Sequence, residues 1–180
     1  MFRVVKNYFG GAKLIETPKF VDDRGLFHKI YNFEEFKKLS LNFVPKEQFF
    51  SISNKNVLRG MHFQIKKYSQ AKLVSCLSGK ILDVIVDLRI NSESFNKVIA
   101  LELDAKKPYA LYIPIGFAHG FVTLEENSIL QYLTSTVYNK DFDKGIHWKS
   151  IDFEWPKKKY IVSKRDSSHP YINDLKCEFF

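Results

Sequence analysis

Apolar and polar residues alternate with a period of two along most of this chain. In "KILDVIVDLRI" the residues Val84, Val86 and Leu88 share one face, and Asp83, Ile85 and Asp87 the other, as a β-strand requires. The same alternation recurs in short runs such as "GLFHKIY", "FFSISN", "AKLVSCL", "YALYIPI" and "SILQYLTSTVY". Turn-forming pairs separate them, among them Gly79-Lys80, Asn91-Ser92 and Lys107-Pro108. Many short strands at regular spacing predict an all-β sandwich or barrel. One segment breaks the pattern: Asn32 to Leu41 reads as a helix, with Asn32 as N-cap, Glu34 and Glu35 in the first turn and lysines after them. The C-terminal third, with "DFEWPKKKY" and "SKRDSSHPY", is less regular and is expected to wrap the barrel.

Composition narrows the picture without choosing a function. A chain of 180 residues is expected to form a single domain spanning 1–180. Its 45% hydrophobic and 16% aromatic content supports a real core and argues against disorder. The formal charge is +8, but the cations are dispersed among 20 acidic residues and no nucleic-acid signature accompanies them. A small anionic partner needs only a few of those cations. Cys76 and Cys177 follow neither a disulfide nor a zinc spacing. No run reads as a signal peptide or a membrane span, so a cytoplasmic protein that binds neither nucleic acid nor membrane is expected.

Two histidine-bearing stretches stand out. In "VLRGMHFQ", His62 lies between Met61 and Phe63, where the bland reading is a core histidine with one satisfied hydrogen bond. In "YIPIGFAHGF", the spacing of Pro114, Gly116 and His119 resembles the second half of the cupin signature, whose histidine binds a metal. The first half would need a second histidine two residues after His62, and Gln64 stands there. Two histidines are too few for a usual metal triad, so a barrel without metal is expected, its histidines free to move protons. Lys72 in "QAKLV" shares a face with Val74 and Cys76, an odd place for a solvent lysine. Alternation puts Arg59 and His62 on opposite faces, so a bulge or twist near Gly60 is needed if both serve one pocket.

The segments "DDRGLFHKIYN", "SISNKNVLRGMHFQ", "LYIPIGFAHGFVTL", "QYLTSTVY" and "DFEWP" stand in an order and spacing that resembles the dTDP-4-dehydrorhamnose 3,5-epimerase family, from about residue 14 to residue 170. The resemblance implies an all-β, cupin-like jelly-roll barrel with one short helix and an irregular C-terminal segment. It implies a cofactor-independent isomerase without metal, acting on a nucleoside-diphosphate-linked 4-keto-6-deoxy sugar and serving cell-surface polysaccharide synthesis. In the family pattern His62 matches the base, Asp166 its carboxylate partner, Tyr132 the acid on the opposite face and Lys72 the cation at the keto oxygen. Taken alone, Asp166 would read as a surface turn residue and Tyr132 as an ordinary barrel aromatic. Arg59 and His119 match substrate contacts, Arg24 and Phe27 the segment that meets the nucleotide, and Tyr138 an aromatic that stacks on the base. A homodimer with exchanged N-terminal strands is also implied.

Departures from the family pattern cluster on the substrate-binding side. Lys29 replaces a glutamate, Glu47, Gln48 and Phe49 replace a Gln-x-Asn element, Asp143 replaces a glutamate, and Arg165 replaces a lysine. The default substrate is dTDP-4-dehydro-6-deoxy-glucose, and a GDP-linked 4-keto heptose fits the same pattern. The alternatives are a C3-only epimerase or keto-isomerase of the same fold and, from other classes, a metal-dependent cupin or a non-catalytic sugar-binding barrel.

Overall fold

The computed structural model describes residues 1–157 and 159–175; Cys177 lies outside them. The strands run β1 (Arg3–Asn7), β2 (Lys13–Glu16), β3 (Lys19–Asp22), β4 (Gly25–His28), β5 (Glu47–Ser53), β6 (Val57–Gln64) and β7 (Lys72–Ser78). They continue with β8 (Lys80–Asp87), β9 (Val98–Asp104), β10 (Tyr109–Ile113), β11 (Phe117–Thr123), β12 (Ser128–Thr134), β13 (Asp143–Gly145) and β14 (Ile161–Val162). Two helices join them, α1 (Phe33–Lys38) and α2 (Lys164–Ser167). The first sheet has the order β1-β2-β10-β7-β12-β5, the second β13-β6-β11-β8-β9 with β14 added beside β6, and β3-β4 form a separate hairpin. This is the expected jelly-roll barrel, made of two facing sheets.

Strand alternation produces the layers. On β8, Ile81 and Ile85 enter the barrel interior with Val74, Leu111, Phe121 and Leu130. Val84 and Val86 project from the opposite face and pack with Met61, Phe63, Ile146 and Trp148, so both faces of this strand are buried, each through the residues its period assigns. Complete burial of such a side chain contributes about 1.5–3 kcal/mol. The segment after β13 covers the outer face of the second sheet through Trp148, Ile151, Phe153 and Trp155. α1 covers the outer face of the first: Phe36 is fully buried among Ile15, Leu73 and Phe43. A six-residue helix is marginal alone, and this one depends on Phe36 and on its cap, in which Asn32 Oδ1 accepts the Glu35 N–H at 3.0 Å.

The C-terminal segment holds more order than its sequence announced. β14 pairs in parallel with β6, and α2 makes a second short helix where one was expected, capped by Ser163 Oγ accepting the Asp166 N–H at 3.0 Å. Elements of two and four residues are too short to show a period.

The bulge expected near Gly60 is present. β11 aligns His119 with His62 but Phe121 with Arg59, so one residue faces two. Gly60 sits at φ +130°, and a Cβ on it would come within 2.5 Å of the Gly120 Cα. Both features exclude a side chain here. Gly60→Ala is expected to cost at least about 1–3 kcal/mol, measured as a lower urea midpoint at unchanged slope; a wild-type midpoint would refute the role given to this glycine.

Candidate active site

Because β6 bulges, Arg59 and His62 open into one cavity of about 280 Å³ between the two sheets. The second sheet supplies Arg59 and His62 from β6 and His119 from β11; the first supplies Lys72 from β7 and Tyr132 from β12. Tyr138, Asp143 and Arg165 stand around the same cavity.

His62 is held by a buried carboxylate. Asp166 Oδ1 accepts from His62 Nε2 at 2.9 Å, and Asp166 Oδ2 accepts the Gly60 N–H at 3.0 Å. Burial alone would raise the Asp166 pKa, but the hydrogen bond and charge of His62, with the Gly60 N–H and Ser163, hold it down at about 2. The carboxylate is therefore an acceptor only, which fixes the proton of neutral His62 on Nε2 and leaves the lone pair on Nδ1.

Lys72 is 6% exposed and donates from Nζ to the His62 carbonyl oxygen at 3.1 Å. Burial draws its ammonium down to about 8, against the pull of Asp143 and Asp83. Tyr132 is buried, and burial pushes its hydroxyl well above the ordinary tyrosine range. Its ring lies flat against Phe49, centroids 4.6 Å apart, and edge-on to His119 at 5.8 Å.

His119 donates from Nε2 to Asp83 Oδ2 at 2.9 Å, with both side chains buried; burial lowers its pKa more than Asp83 raises it, leaving the imidazole neutral. Arg59 Nε donates to Ser53 Oγ at 3.0 Å. At the mouth, Arg165 Nη2 donates to Asp143 Oδ2 at 2.6 Å, and Glu47 Oε2 accepts the Tyr138 N–H at 2.7 Å, which places Glu47 as a tether for that loop.

Not every expected residue reaches this cavity. Gln48 lies on the opposite face of β5 from Phe49 and borders a different depression, with Tyr31 and Leu133, because successive strand residues point to opposite sides. Arg24 and Phe27 sit on the β3-β4 hairpin around a separate hollow, and Lys29 is exposed just beyond it, its N–H bonded to the Pro18 carbonyl. In this chain these four stay outside, and Glu47, bonded to the Tyr138 N–H, does not line the cavity either. Sequence reasoning missed Asp83, which fixes His119; its signal was an acid alternating with Ile85 on the inward face of β8.

The geometry is that of a charge-tuned pocket: an imidazole with a free lone pair, a buried cation near it, and a protonated phenol from the opposite sheet. A family model described as dTDP-4-dehydrorhamnose 3,5-epimerase matches residues 6–174. The chain is similar to dTDP-4-dehydrorhamnose 3,5-epimerase of Escherichia coli strain K12, 40% identical over 178 residues, covering 96% of this chain and 95% of that one. It superposes with a TM-score of 0.90 on the Bacillus anthracis enzyme of the same name, solved with TDP and pyrophosphate bound, at 36% identity and covering 94% of this chain and 99% of that one. A 3'-monoepimerase from Streptomyces bikiniensis in complex with dTDP-quinovose is also similar, at 27% identity and a TM-score of 0.86, covering 93% and 88% of the two chains.

Asp166 carries a pH signature. Its folded pKa of about 2 lies below the ordinary 3.8, so its contribution is complete above that ordinary value and is lost as pH falls toward 2. It is worth at most about 2 kcal/mol. Asp166→Asn is expected to be less stable than wild type at neutral pH, the gap narrowing on acidification; a gap constant from pH 7 to 2 in urea melts would contradict this.

Proposed function

Since the chain belongs to the dTDP-4-dehydrorhamnose 3,5-epimerase family, we propose that His62 and Tyr132 act from facing sheets on the two sides of a 4-keto sugar. The protein is an isomerase whose substrate is a nucleotide sugar. Hydrogens on C3 and C5 flank the C4 ketone, so removal of either leaves an enolate. His62 Nδ1 takes the proton, and the imidazolium formed is stabilised by Asp166. The enolate oxygen meets Lys72 as a buried ammonium, with Arg59 as a donor to the sugar and His119 Nδ1 as an acceptor for one of its hydroxyls. Tyr132, kept protonated by its burial, returns a proton from the opposite face. The observation that supports this reading is that His62 and Tyr132 line one cavity from opposite sheets. One domain spanning 1–180 carries it out, with dTDP-4-dehydro-6-deoxy-glucose as substrate. No helix among the described residues is long and apolar enough to cross a membrane, and we place the reaction in the cytoplasm.

A single-carbon epimerase is the second reading, favoured by one feature. Phe49 stacks on Tyr132 and can narrow the range of carbons that the phenol reaches.

The active unit is proposed to be a homodimer. Phe20, Val21, Leu26 and Phe27 are exposed on the β3-β4 hairpin, as are Phe50 and Ile52 on the edge strand β5. Such an apolar hairpin and an unpaired edge call for cover. Exchange of the hairpin would carry Arg24 and Phe27 to the partner's pocket and use both surfaces at once.

His62→Ala is expected to lower turnover by about 10²–10⁴-fold. Tyr132→Phe should still exchange substrate protons with solvent while product formation stops. Full turnover in both variants would exclude this proton route. Wild-type rates should fall as pH rises through about 8, where Lys72 loses its proton, and Lys72→Arg should abolish that decline. For the dimer, separately inactive Arg24→Ala and His62→Ala chains are expected to recover activity when refolded together, since a mixed dimer restores one intact site; no recovery alongside monomeric mass by light scattering would refute it.

A further inference from the structure

Asp166 has a second histidine beside it that the proton chemistry leaves unused. His169 follows α2, and its Nε2 lies 3.8 Å from Asp166 Oδ1. Its ring stands edge-on to His62, centroids 5.6 Å apart and planes at 77°. The imidazole seats against Gly145, where a Cβ would come within 2.4 Å of Nε2. That Nε2 is buried and makes no hydrogen bond among the described residues, an arrangement that leaves a desolvated polar atom uncompensated. One ligand atom each from His62, Asp166 and His169 lies within 4.8 Å of the other two, the one such group of three among the described residues.

We propose that His62, Asp166 and His169 form a binding site for a transition-metal dication of the zinc type, and that occupancy switches the enzyme off by taking the His62 imidazole. Two imidazoles and one carboxylate suit zinc, cobalt or nickel; magnesium and calcium prefer oxygen alone. Ligand atoms bonded to zinc at about 2.0–2.1 Å stand roughly 3.3 Å apart in a tetrahedron. The 2.9 and 3.8 Å separations bracket that value, and side-chain shifts of about an ångström close the widest pair.

The contact that would orient the carboxylate toward a metal is already in place. The Gly60 N–H holds Asp166 Oδ2 and leaves Oδ1 directed at both histidines, the kind of orienting contact that metal sites use. His62 is 31% exposed to the cavity, so a fourth position would open toward the substrate. This is not the His62 and His119 pair that the cupin-like spacing suggested, since His119 is engaged by Asp83. On binding, the metal takes the lone pair of His62 Nε2 and the ring proton moves to Nδ1, the nitrogen that would accept the substrate proton; protons compete with the metal for imidazole nitrogens, so affinity falls in acid. The inhibitory half of the proposal rests on His62 being the base; the binding half does not.

The test begins with Co²⁺ added to chelator-treated wild-type protein in the absence of substrate. The expected result is one equivalent per chain with the intense visible absorption of a tetrahedral cobalt centre, displaced by Zn²⁺. In His169→Gln and Asp166→Asn, each checked for folding by circular dichroism, the affinity should fall at least tenfold. Zn²⁺ should also stop turnover in wild type, with EDTA restoring it. A spectrum that stays that of aqueous cobalt at millimolar metal overturns the site. So does undiminished binding in both variants, and binding without inhibition overturns the switch. Failure of the epimerase reading would appear separately, as no turnover in the chelator-treated protein.

Discussion

A single buried carboxylate ties the two ends of this architecture together. Asp166 comes from a one-turn helix near the C-terminus, yet both of its oxygens are spent on the central strand β6, one on the Gly60 N–H and one on His62. A charge taken out of water must find partners, so this pairing decides where the C-terminal segment lies. It also decides which nitrogen of His62 is free. The β14 contact with β6 runs alongside it, and Trp148 and Trp155 cover the outer face of the same sheet. Removing the carboxylate would therefore loosen the wrap and disorient His62 together.

The second constraint is the division of labour between the sheets. A base and an acid that serve opposite faces of one sugar cannot come from neighbouring positions on one strand. Here β6 and β11 present His62 and His119, while β7 and β12 present Lys72 and Tyr132. Each polar group is set in an apolar interior that adjusts its proton affinity: Lys72 is drawn down to about 8 while Tyr132 is pushed up. Buried hydrogen bonds from His119 to Asp83 and from Arg59 to Ser53 keep the walls in place.

Much of this was legible in the sequence because the β period is strict. Alternation assigned Val84 and Val86 to one face and Asp83 and Ile85 to the other, and it marked Lys72 as facing inward with Val74. The conflict between Arg59 and His62 predicted the bulge that Gly60 supports. What stayed illegible has physical causes. β14 and α2 are shorter than any period. Asp83 gave no sign of its partner, because His119 lies 36 residues away in sequence. The hairpin bearing Arg24 and Phe27 reads as part of the site from motif order alone, but a monomer leaves it outside the cavity. His169 sits in a turn whose sequence, "SSHP", carries no motif.

The origin of the hydrogen at each inverted carbon reports the proton route most directly. One turnover of dTDP-4-dehydro-6-deoxy-glucose by the wild-type protein in heavy water, followed by NMR, should leave a solvent deuteron at every carbon whose configuration has changed, because the proton returned by Tyr132 equilibrates with solvent. Product inverted at C3 or C5 but still carrying its original protium would contradict removal by His62 and return from the opposite face.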